Sequence, residues 1–358
     1  MRPWIRPSHK CGQVLRQHFF TESIPTVLVP PVIFVGLLFS LWTYKCIMTV
    51  IFQDRIIYMP YMPPFARAEK IADYAAICHP VRWEEKRIKS TDGTKISLGV
   101  GSIDASQMDE GHESSLHAGQ PKKDVVICYF QGNGSSIPPR LPLLSNVLRL
   151  LQTSTPHSRV RYTMVALSYR GYWTSSGRAT QSGIELDAQA MLEWVAANYS
   201  RPDHDLRLVM WGQSVGAGVA STAVATYLSS PRYNQPKLGG LILETPFTSI
   251  KSMLLALYPQ KWLPYQYLHP FLWNHWDSEV ALRTMVQVDE RPKLLLMPAT
   301  RDEVVPPEEI KKLEGLCKEL GLDYERKDVI GALHTEASTR REGQEALAKF
   351  IAERSDSQ

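Results

Sequence analysis

The strongest chemical signal in the sequence is a serine placed between two glycines. Residues 212–216 read GQSVG; an apolar run over 206–211 precedes them and a helical pattern follows. Strand, G-x-S-x-G and helix in this order are typical of a nucleophile elbow, a tight turn that lifts a serine hydroxyl above a sheet. Gly212 and Gly216 fit such a turn because they carry no Cβ atom. The pattern predicts Ser214 as a nucleophile; the alternative is a helix that simply begins at a capping serine.

A serine hydroxyl becomes a useful nucleophile when a base takes its proton, and that base is commonly a histidine oriented by a carboxylate. Asp302 lies just beyond the strand predicted at Lys293–Met297, in a turn closed by prolines. His334 lies in the loop after the next predicted strand, over 324–329. We therefore predict Asp302 as the acid and His334 as the base. Glu303 is the neighbour that could be mistaken for Asp302, and the alternatives are a turn-capping aspartate and an ordinary loop histidine.

Acyl transfer also needs two hydrogen-bond donors for the oxyanion of the tetrahedral intermediate. The N–H of Val215, directly after the nucleophile, is the first candidate. The second lies in the glycine-containing loop 131–135, where we favour the N–H of Asn133. The alternative is a plain glycine-rich turn. Because neither a phosphate-loop lysine nor a dinucleotide fingerprint accompanies these glycines, no cofactor is predicted.

From residue 125 onward the sequence alternates between strand and helix patterns. Apolar runs predict strands over 125–130, 162–168, 206–211, 238–244, 293–297 and 324–329. Helical patterns cover 307–320 and 338–353, and Ser182 with Glu185 forms a capping box that predicts the start of a further helix. Residues 84–100, with a turn at 91–94, predict a hairpin. This order predicts the α/β class, with a mostly parallel central sheet flanked by helices.

The N-terminal part predicts a single-pass membrane anchor. Residues 1–23 are polar and basic, and residues 24–52 are apolar enough to form a transmembrane helix across a hydrocarbon core about 30 Å thick. Residues 53–81 predict a neck rich in proline and aromatic residues, and residues 82–354 a catalytic domain. The basic flank favours a cytosolic N-terminus and a lumenal catalytic domain, in the endoplasmic reticulum or another endomembrane. The alternative is a cleaved signal peptide, although no clear small-residue cleavage site follows.

The composition excludes several classes of partner. A net charge of +4 over 358 residues is too small to indicate a nucleic-acid-binding protein. The five cysteines are scattered and form no C-x-x-C pair, so neither a metal site nor a disulfide framework is predicted. His112 and His117 fall in a polar stretch over 104–123, which we interpret as a solvated loop rather than a metal site.

With these residues placed, the sequence resembles the alpha/beta-hydrolase superfamily. Within it, the sequence is similar to the membrane-anchored serine hydrolases of the bud-emergence homologue and abhydrolase-domain group. The resemblance covers residues 125–351, and its most specific parts are SYRGY at 168–172, SGIELDA at 182–188, ETPFTS at 244–249 and RDEVVP at 301–306. Two positions depart from the family pattern. Gln131 stands where histidine is usual, which leaves the backbone donors intact, and Trp173 replaces a common glycine, which predicts a different pocket mouth.

The resemblance implies the activity, because such folds insert a cap before the acid and act on acyl groups. Residues 247–290 fit this cap; they are rich in tryptophan and tyrosine and contain Asp277 and Asp289, two weaker candidates for the acid. A simple packed helical insert is the alternative to a lipid-binding cap. We predict a membrane-anchored serine hydrolase of acyl esters or thioesters, with the lipid bilayer and a lipid or acylated substrate as partners. The competing hypotheses are a non-catalytic membrane scaffold and a serine peptidase.

Overall fold

A computed structural model describes residues 25–103, 123–154, 160–202, 204–230, 235–261, 263, 265–288 and 290–356. The polar stretch with His112 and His117 lies outside these residues. The chain divides into two compact units between residues 47 and 48. Helix α1, Val29–Ile51, has 23 residues and is about 35 Å long at 1.5 Å per residue. By length and composition it could cross a membrane, as the sequence predicts.

The second unit is built on one eight-stranded sheet. Its strands are β1 (Arg82–Lys89), β2 (Lys95–Ser102), β3 (Lys123–Phe130), β4 (Val160–Ser168), β5 (Asp205–Gln213), β6 (Lys237–Glu244), β7 (Lys293–Met297) and β8 (Tyr324–Arg326). Their order across the sheet is β1-β2-β4-β3-β5-β6-β7-β8. The β1–β2 hairpin is antiparallel, and the strands from β3 to β8 run parallel. The predicted mostly parallel α/β sheet is confirmed.

Helices cover both faces of this sheet, because its central strands are apolar on both sides. After the short helices α2 (Gln53–Tyr58) and α3 (Ala75–Cys78) come α4 (Leu141–Ser154), α5 (Gln181–Tyr199), α6 (Val215–Ser229), α7 (Ile250–Leu257), α8 (Ser278–Met285), α9 (Pro307–Glu319) and α10 (Arg341–Asp356). One apolar cluster contains side chains of α5, α6, α8 and α9, and the other contains side chains of α4 and α10. Because strands β3 to β8 are parallel, their carboxyl ends lie at the same edge of the sheet, and the loops that follow them meet there.

Two predicted boundaries are wrong for local reasons. Helix α5 begins at Gln181 and its N-cap is Thr180, whose hydroxyl accepts the Gly183 N–H at 3.2 Å. The capping box predicted from Ser182 therefore lies within the first turn, where Glu185 instead accepts from the Gln181 side chain at 2.8 Å. Strand β8 ends at Arg326 rather than at 329. A polar stretch follows it, in which the Lys327 N–H still donates to the Leu296 carbonyl oxygen of β7 at 2.9 Å, and Val329 then forms an isolated bridge with Ala299.

The segment predicted as a neck packs against the catalytic-domain part of the same unit. Gln53, Asp54 and Tyr58 of α2 are buried. The insertion between β6 and β7 contains α7, a short 3-10 helix at Tyr265–Phe271, and α8. Of its aromatic side chains, Trp276 is fully buried. Neck and insertion thus lie close to the loops at the carboxyl edge of the sheet.

Candidate active site

Ser214 occupies the tight turn between β5 and α6. Its backbone adopts φ +54° and ψ −120°, a conformation that costs energy for any residue with a side chain. A Cβ atom at Gly212 would lie 2.1 Å from the Gly216 carbonyl oxygen, and a Cβ atom at Gly216 would lie 2.1 Å from the Phe130 carbonyl oxygen. Only glycine fits at either position. The Ser214 N–H donates to the Glu244 carbonyl oxygen at 2.9 Å, which holds the turn against β6.

His334 reaches Ser214 from the loop after β8. Its Nε2 lies 2.8 Å from the Ser214 Oγ, and its Nδ1 lies 2.8 and 3.0 Å from the two carboxylate oxygens of Asp302. With the proton on Nδ1, the ring donates to Asp302 and accepts the serine hydroxyl proton at Nε2. The serine and the histidine are only 7% and 6% exposed, so little water competes for these bonds. The structure thus brings the three predicted side chains together.

The turn after β7 orients the carboxylate of Asp302. Its Oδ1 accepts the backbone N–H groups of Val304 and Val305 at 2.9 and 2.7 Å. Glu303 instead accepts the backbone N–H of His334 at 2.9 Å. The two neighbouring acids therefore differ in what they contact: Asp302 binds the imidazole, whereas Glu303 binds the backbone of the histidine loop.

The weaker acid candidates of the cap are not part of this arrangement in the described residues. Asp277 is the N-cap of α8, and its carboxylate accepts the Val280 N–H at 3.0 Å. Asp289 lies outside the described residues, as does Trp262 of the predicted cap. Capping explains Asp277 fully, since an aspartate before a helix commonly accepts such a bond.

The predicted oxyanion donors lie in the elbow itself and in the loop that passes beside it. Val215 begins α6, where the first N–H groups have no acceptor within the helix. In the opposite loop, a Cβ atom on Gly132 would lie 3.5 Å from the Ser214 Cβ, so this loop passes directly beside the nucleophile. The N–H groups of Gly134 and Ser135 are engaged elsewhere, with backbone carbonyls of the neck. The Asn133 N–H makes no hydrogen bond within the described residues and remains available to a substrate.

Glu244 is a buried acid that the sequence analysis did not assign to the site. Its carboxylate accepts from the Trp211 indole at 3.0 Å, the Gln213 amide at 3.1 Å and the backbone N–H of Ser338 at 3.0 Å. Burial raises the pKa of this carboxyl above its ordinary value, although the donors oppose the shift. Gln213 belongs to the elbow and Ser338 follows the histidine loop, so Glu244 connects the two. The sequence feature that could have pointed to Glu244 is its position as an acid at the end of an otherwise apolar strand.

Gln131 and Trp173, the two residues that depart from the family pattern, lie in different surroundings. The Gln131 side chain is fully buried, and neither of its amide atoms has a hydrogen-bond partner in the described part of the protein. Its backbone carbonyl accepts the Tyr169 hydroxyl at 2.8 Å. Trp173 is buried against the neck, and its indole donates to the Glu69 carbonyl at 2.8 Å. Trp173 therefore contributes to the attachment of the neck.

This arrangement contains the kinds of group that acyl transfer by a serine nucleophile needs. His334 can remove the proton of Ser214, Asp302 can stabilise the resulting imidazolium, and the start of α6 and the loop 131–135 both lie beside the serine. Among the described residues, no three histidine, cysteine, aspartate or glutamate side chains cluster as metal ligands would. The distances between Ser214, His334 and Asp302 are those that a serine nucleophile, a base and an acid would need.

Sequence comparison finds relatives of similar organisation. No family model matches the chain. The chain is 28% identical to the bem46 protein of Schizosaccharomyces pombe over 56% of its own length and 59% of that protein. It is 28% identical to the alpha/beta hydrolase domain-containing protein WAV2 of Arabidopsis thaliana, over 74% and 75%. The lysophosphatidylserine lipase ABHD12 of Xenopus tropicalis is 31% identical over 45% of this chain, which spans only 40% of that lipase.

Solved structures share the fold at low sequence identity. An alpha-beta hydrolase from Vibrio vulnificus superposes with a TM-score of 0.55 at 17% identity, covering 81% of this chain and 87% of that chain. An esterase from Pyrobaculum calidifontis has a TM-score of 0.51 at 16% identity, covering 81% and 90%. Together with the strand order, these likenesses show that the chain has the alpha/beta-hydrolase fold, and in sequence it is similar to the bem46, WAV2 and ABHD12 proteins.

Proposed function

We propose that the protein is a membrane-anchored serine hydrolase that cleaves acyl esters or thioesters. The observation that carries this proposal is the continuous chain of hydrogen bonds from Asp302 through His334 to Ser214, with 2.8 Å on either side of the imidazole. Relatives whose names are lipase or esterase support a hydrolase of ester substrates. A non-catalytic scaffold has no need for this geometry.

The proposed reaction proceeds through an acyl-enzyme. As the Ser214 oxygen attacks the substrate carbonyl, its proton passes to Nε2 of His334, and the negative charge forms on the carbonyl oxygen. The N–H groups of Val215 and Asn133 stabilise this oxyanion. His334 then protonates the departing alcohol or thiol, leaving the acyl group on the serine. Water, deprotonated by the same histidine, attacks the acyl-enzyme, and release of the acid returns the proton to Ser214.

Exposed apolar side chains on the cap support a lipid-like substrate. Leu257, Tyr267, Phe271 and Trp273 are each about half exposed or more. Gln53, two residues beyond α1, donates to the Phe271 carbonyl at 3.1 Å and accepts the Trp273 N–H at 3.0 Å. If α1 crosses a membrane, Gln53 is only two residues from the end of the spanning helix. The cap residues that Gln53 binds would then be near the bilayer surface, where aromatic side chains are common. The name of the relative ABHD12, lysophosphatidylserine lipase, agrees with such a substrate.

A substrate panel tests the proposed activity. Full-length protein in nanodiscs is incubated with lysophospholipids, monoacylglycerols, acyl-thioesters and peptide substrates, beside the Ser214→Ala variant. We expect release of fatty acid from at least one lipid or thioester by the wild type alone. Cleavage confined to peptides would replace the proposal by a peptidase, and folded protein without any turnover would favour a scaffold.

A further inference from the structure

The membrane-proximal neck makes direct hydrogen bonds with the loop that carries the proposed oxyanion donor. The Gly134 N–H donates to the Tyr58 carbonyl oxygen at 2.9 Å, and the Ser135 N–H donates to the Met62 carbonyl oxygen. The Tyr58 carbonyl also accepts the hydroxyl of Tyr172. Two consecutive N–H groups beside Asn133 are thereby fixed by a segment that lies about 70 residues earlier in the chain.

A buried polar cluster holds Tyr58 itself in place. Its hydroxyl donates to Oδ1 of Asn274 at 2.7 Å and accepts the Trp276 indole N–H at 2.8 Å. Asn274 in turn donates to Asp54 at 2.7 Å, and Asp54 is also bound by the Trp273 indole at 2.9 Å. Because the cluster excludes water, loss of one partner leaves another polar group unpaired. Tyr58 therefore has one fixed position between neck, cap and loop.

Arg67, near the middle of the neck, makes a second set of contacts. Its guanidinium donates to the carbonyl oxygens of Gly171, Trp173 and Ser175, each at 3.0 Å. These residues belong to the loop after β4, which also carries Tyr172. The part of the neck from Tyr58 to Arg67 is thus attached on both sides of Met62, and it includes the carbonyls that accept the N–H groups of Gly134 and Ser135.

From these contacts we propose that the neck is a positioning element of the active site. Tyr58 and Met62 occupy the N–H groups of Gly134 and Ser135, which aims the remaining donor, Asn133, at the substrate oxyanion. The inference rests on the proposed serine-hydrolase function. Oxyanion stabilisation depends on donors within a few tenths of an ångström of their target, and a shift of about 1 Å can cost about 100-fold in rate. A side chain of the neck thus sets turnover without touching the substrate.

The test compares two neck tyrosines in the full-length protein. Tyr58→Phe removes the hydroxyl that binds Asn274 and Trp276, whereas Tyr61→Phe removes an exposed hydroxyl that lies 3.5 Å from the Arg55 carbonyl. For Tyr58→Phe we expect kcat to fall about 10- to 100-fold with KM nearly unchanged. The affinity for a trifluoromethyl ketone, which forms a tetrahedral oxyanion adduct with the serine, should fall in proportion to kcat/KM. Tyr61→Phe should behave as the wild type.

Gly134→Ala supplies a second variant if Tyr58→Phe folds poorly. Its Cβ atom would lie 3.2 Å from the Met62 carbonyl at a φ of +64°, so it disturbs the same contact from the loop side. A folded Tyr58→Phe or Gly134→Ala protein with wild-type kcat and ketone affinity would overturn the inference. A lower activity that merely follows a smaller folded fraction would overturn it as well. A wild type that neither turns over esters nor binds the ketone would instead contradict the proposed function.

Discussion

At the scale of single residues, the proposed chemistry depends on side chains that lie far apart in sequence. His334 is 120 residues from Ser214 and 32 residues from Asp302 in sequence. In the fold, its imidazole nitrogens lie 2.8 Å from the Ser214 Oγ and 2.8 Å from the nearer carboxylate oxygen of Asp302. Each of the three side chains follows a strand of the parallel sheet, so the strand ends bring them together. The hydrogen bonds then distinguish groups that the sequence leaves ambiguous, such as Asp302 and Glu303.

Replacing Asp302 and Glu303, one at a time, by the corresponding amide should distinguish their roles. Asp302→Asn should lower kcat/KM by about 10⁴-fold, because the amide favours the wrong tautomer of His334. Glu303→Gln keeps an acceptor for the His334 backbone N–H and should cost about 10-fold or less. Both values can be measured with a chromogenic ester. If Glu303→Gln proved the more damaging, Asp302 would no longer be the acid.

The strained backbone conformation of Ser214 should lower the free energy of unfolding, and a comparison of two variants can measure this effect. Ser214→Gly removes the Cβ atom at φ +54°, whereas Ser214→Ala removes only the hydroxyl. Relief of about 1–3 kcal/mol of strain exceeds the extra unfolded-state entropy of glycine, about 0.5–1 kcal/mol. We therefore expect Ser214→Gly to be more stable than Ser214→Ala by about 1 kcal/mol in denaturant unfolding. Equal stability of the two variants would mean that the elbow carries no such strain.

Sequence reasoning predicted the three side chains that the structure brings together, but not the groups that hold them in place. Ser214, Asp302 and His334 are distinctive residue types at strand ends, and Gly212 and Gly216 report the turn directly. The contacts of Tyr58 and Met62 with the oxyanion loop use backbone carbonyls, which have no signature in a sequence. Such attachments become visible only when the chain is folded.

At the scale of elements, the sheet and its helices determine where the loops meet. The sequence predicts the order of strands and helices because the apolar runs are long and the connections contain clear turn residues. The exact ends of elements are harder to predict. The N-cap residue of α5 is Thr180, two residues before the predicted Ser182, because the Thr180 hydroxyl is the side chain that accepts the Gly183 N–H. Strand β8 is shorter than its apolar pattern, because polar residues follow Arg326 and the chain contacts its neighbour there only through the Lys327 N–H and an isolated bridge at Val329 in the described residues.

The attachment of β8 to α9 should depend on pH. Lys318 and Arg326 hold the pKa of Glu314 down to about 2, from an ordinary value of 4.5. A lowered folded-state pKa means that the stabilisation is complete above about pH 4.5 and is lost as the pH falls towards 2. Glu314→Gln should therefore lower Tm at pH 7, and the difference from wild type should shrink steadily below pH 4.5.

Glu308→Gln is the matched control for this pH effect. Glu308 is an exposed glutamate in the first turn of the same helix and has no ion-pair partner among the described residues. At pH 7 its replacement should lower Tm less than that of Glu314, which is paired with Lys318 and Arg326. A gap between wild type and Glu314→Gln that persisted at pH 2 would show that the carboxylate of Glu314 does not stabilise this junction.

At the scale of the whole molecule, if α1 crosses a membrane as we propose, the side on which residues 82–354 lie decides which lipids the candidate site can meet. The tail before α1 carries Arg2, Arg6, Lys10 and Arg16, whereas Lys45 and Arg55 are the basic residues close to its other end. This asymmetry favours a lumenal catalytic domain. The sequence contains two glycosylation sequons, and these can report the orientation.

A glycan at Asn198 would report a lumenal domain. Asn198 is exposed in the last turn of α5, whereas Asn133 lies in the proposed oxyanion loop, where a glycan would block the site. In eukaryotic cells we expect an endoglycosidase-sensitive mass shift that disappears in Asn198→Gln and persists in Asn133→Gln. Protease treatment of intact microsomes provides the decisive measurement. Digestion of the catalytic domain without detergent would place it in the cytosol and contradict the proposed topology.

The central claim is that Ser214 is an activated nucleophile. A fluorophosphonate reacts with such a serine to form a stable phosphonyl adduct, which peptide mass spectrometry can assign to one residue. We predict a single adduct on the peptide containing Ser214, none in Ser214→Ala, and labelling slowed by several orders of magnitude in His334→Ala, because the serine and its base act as one unit. An adduct on another residue, or labelling that persists in Ser214→Ala, would contradict the account.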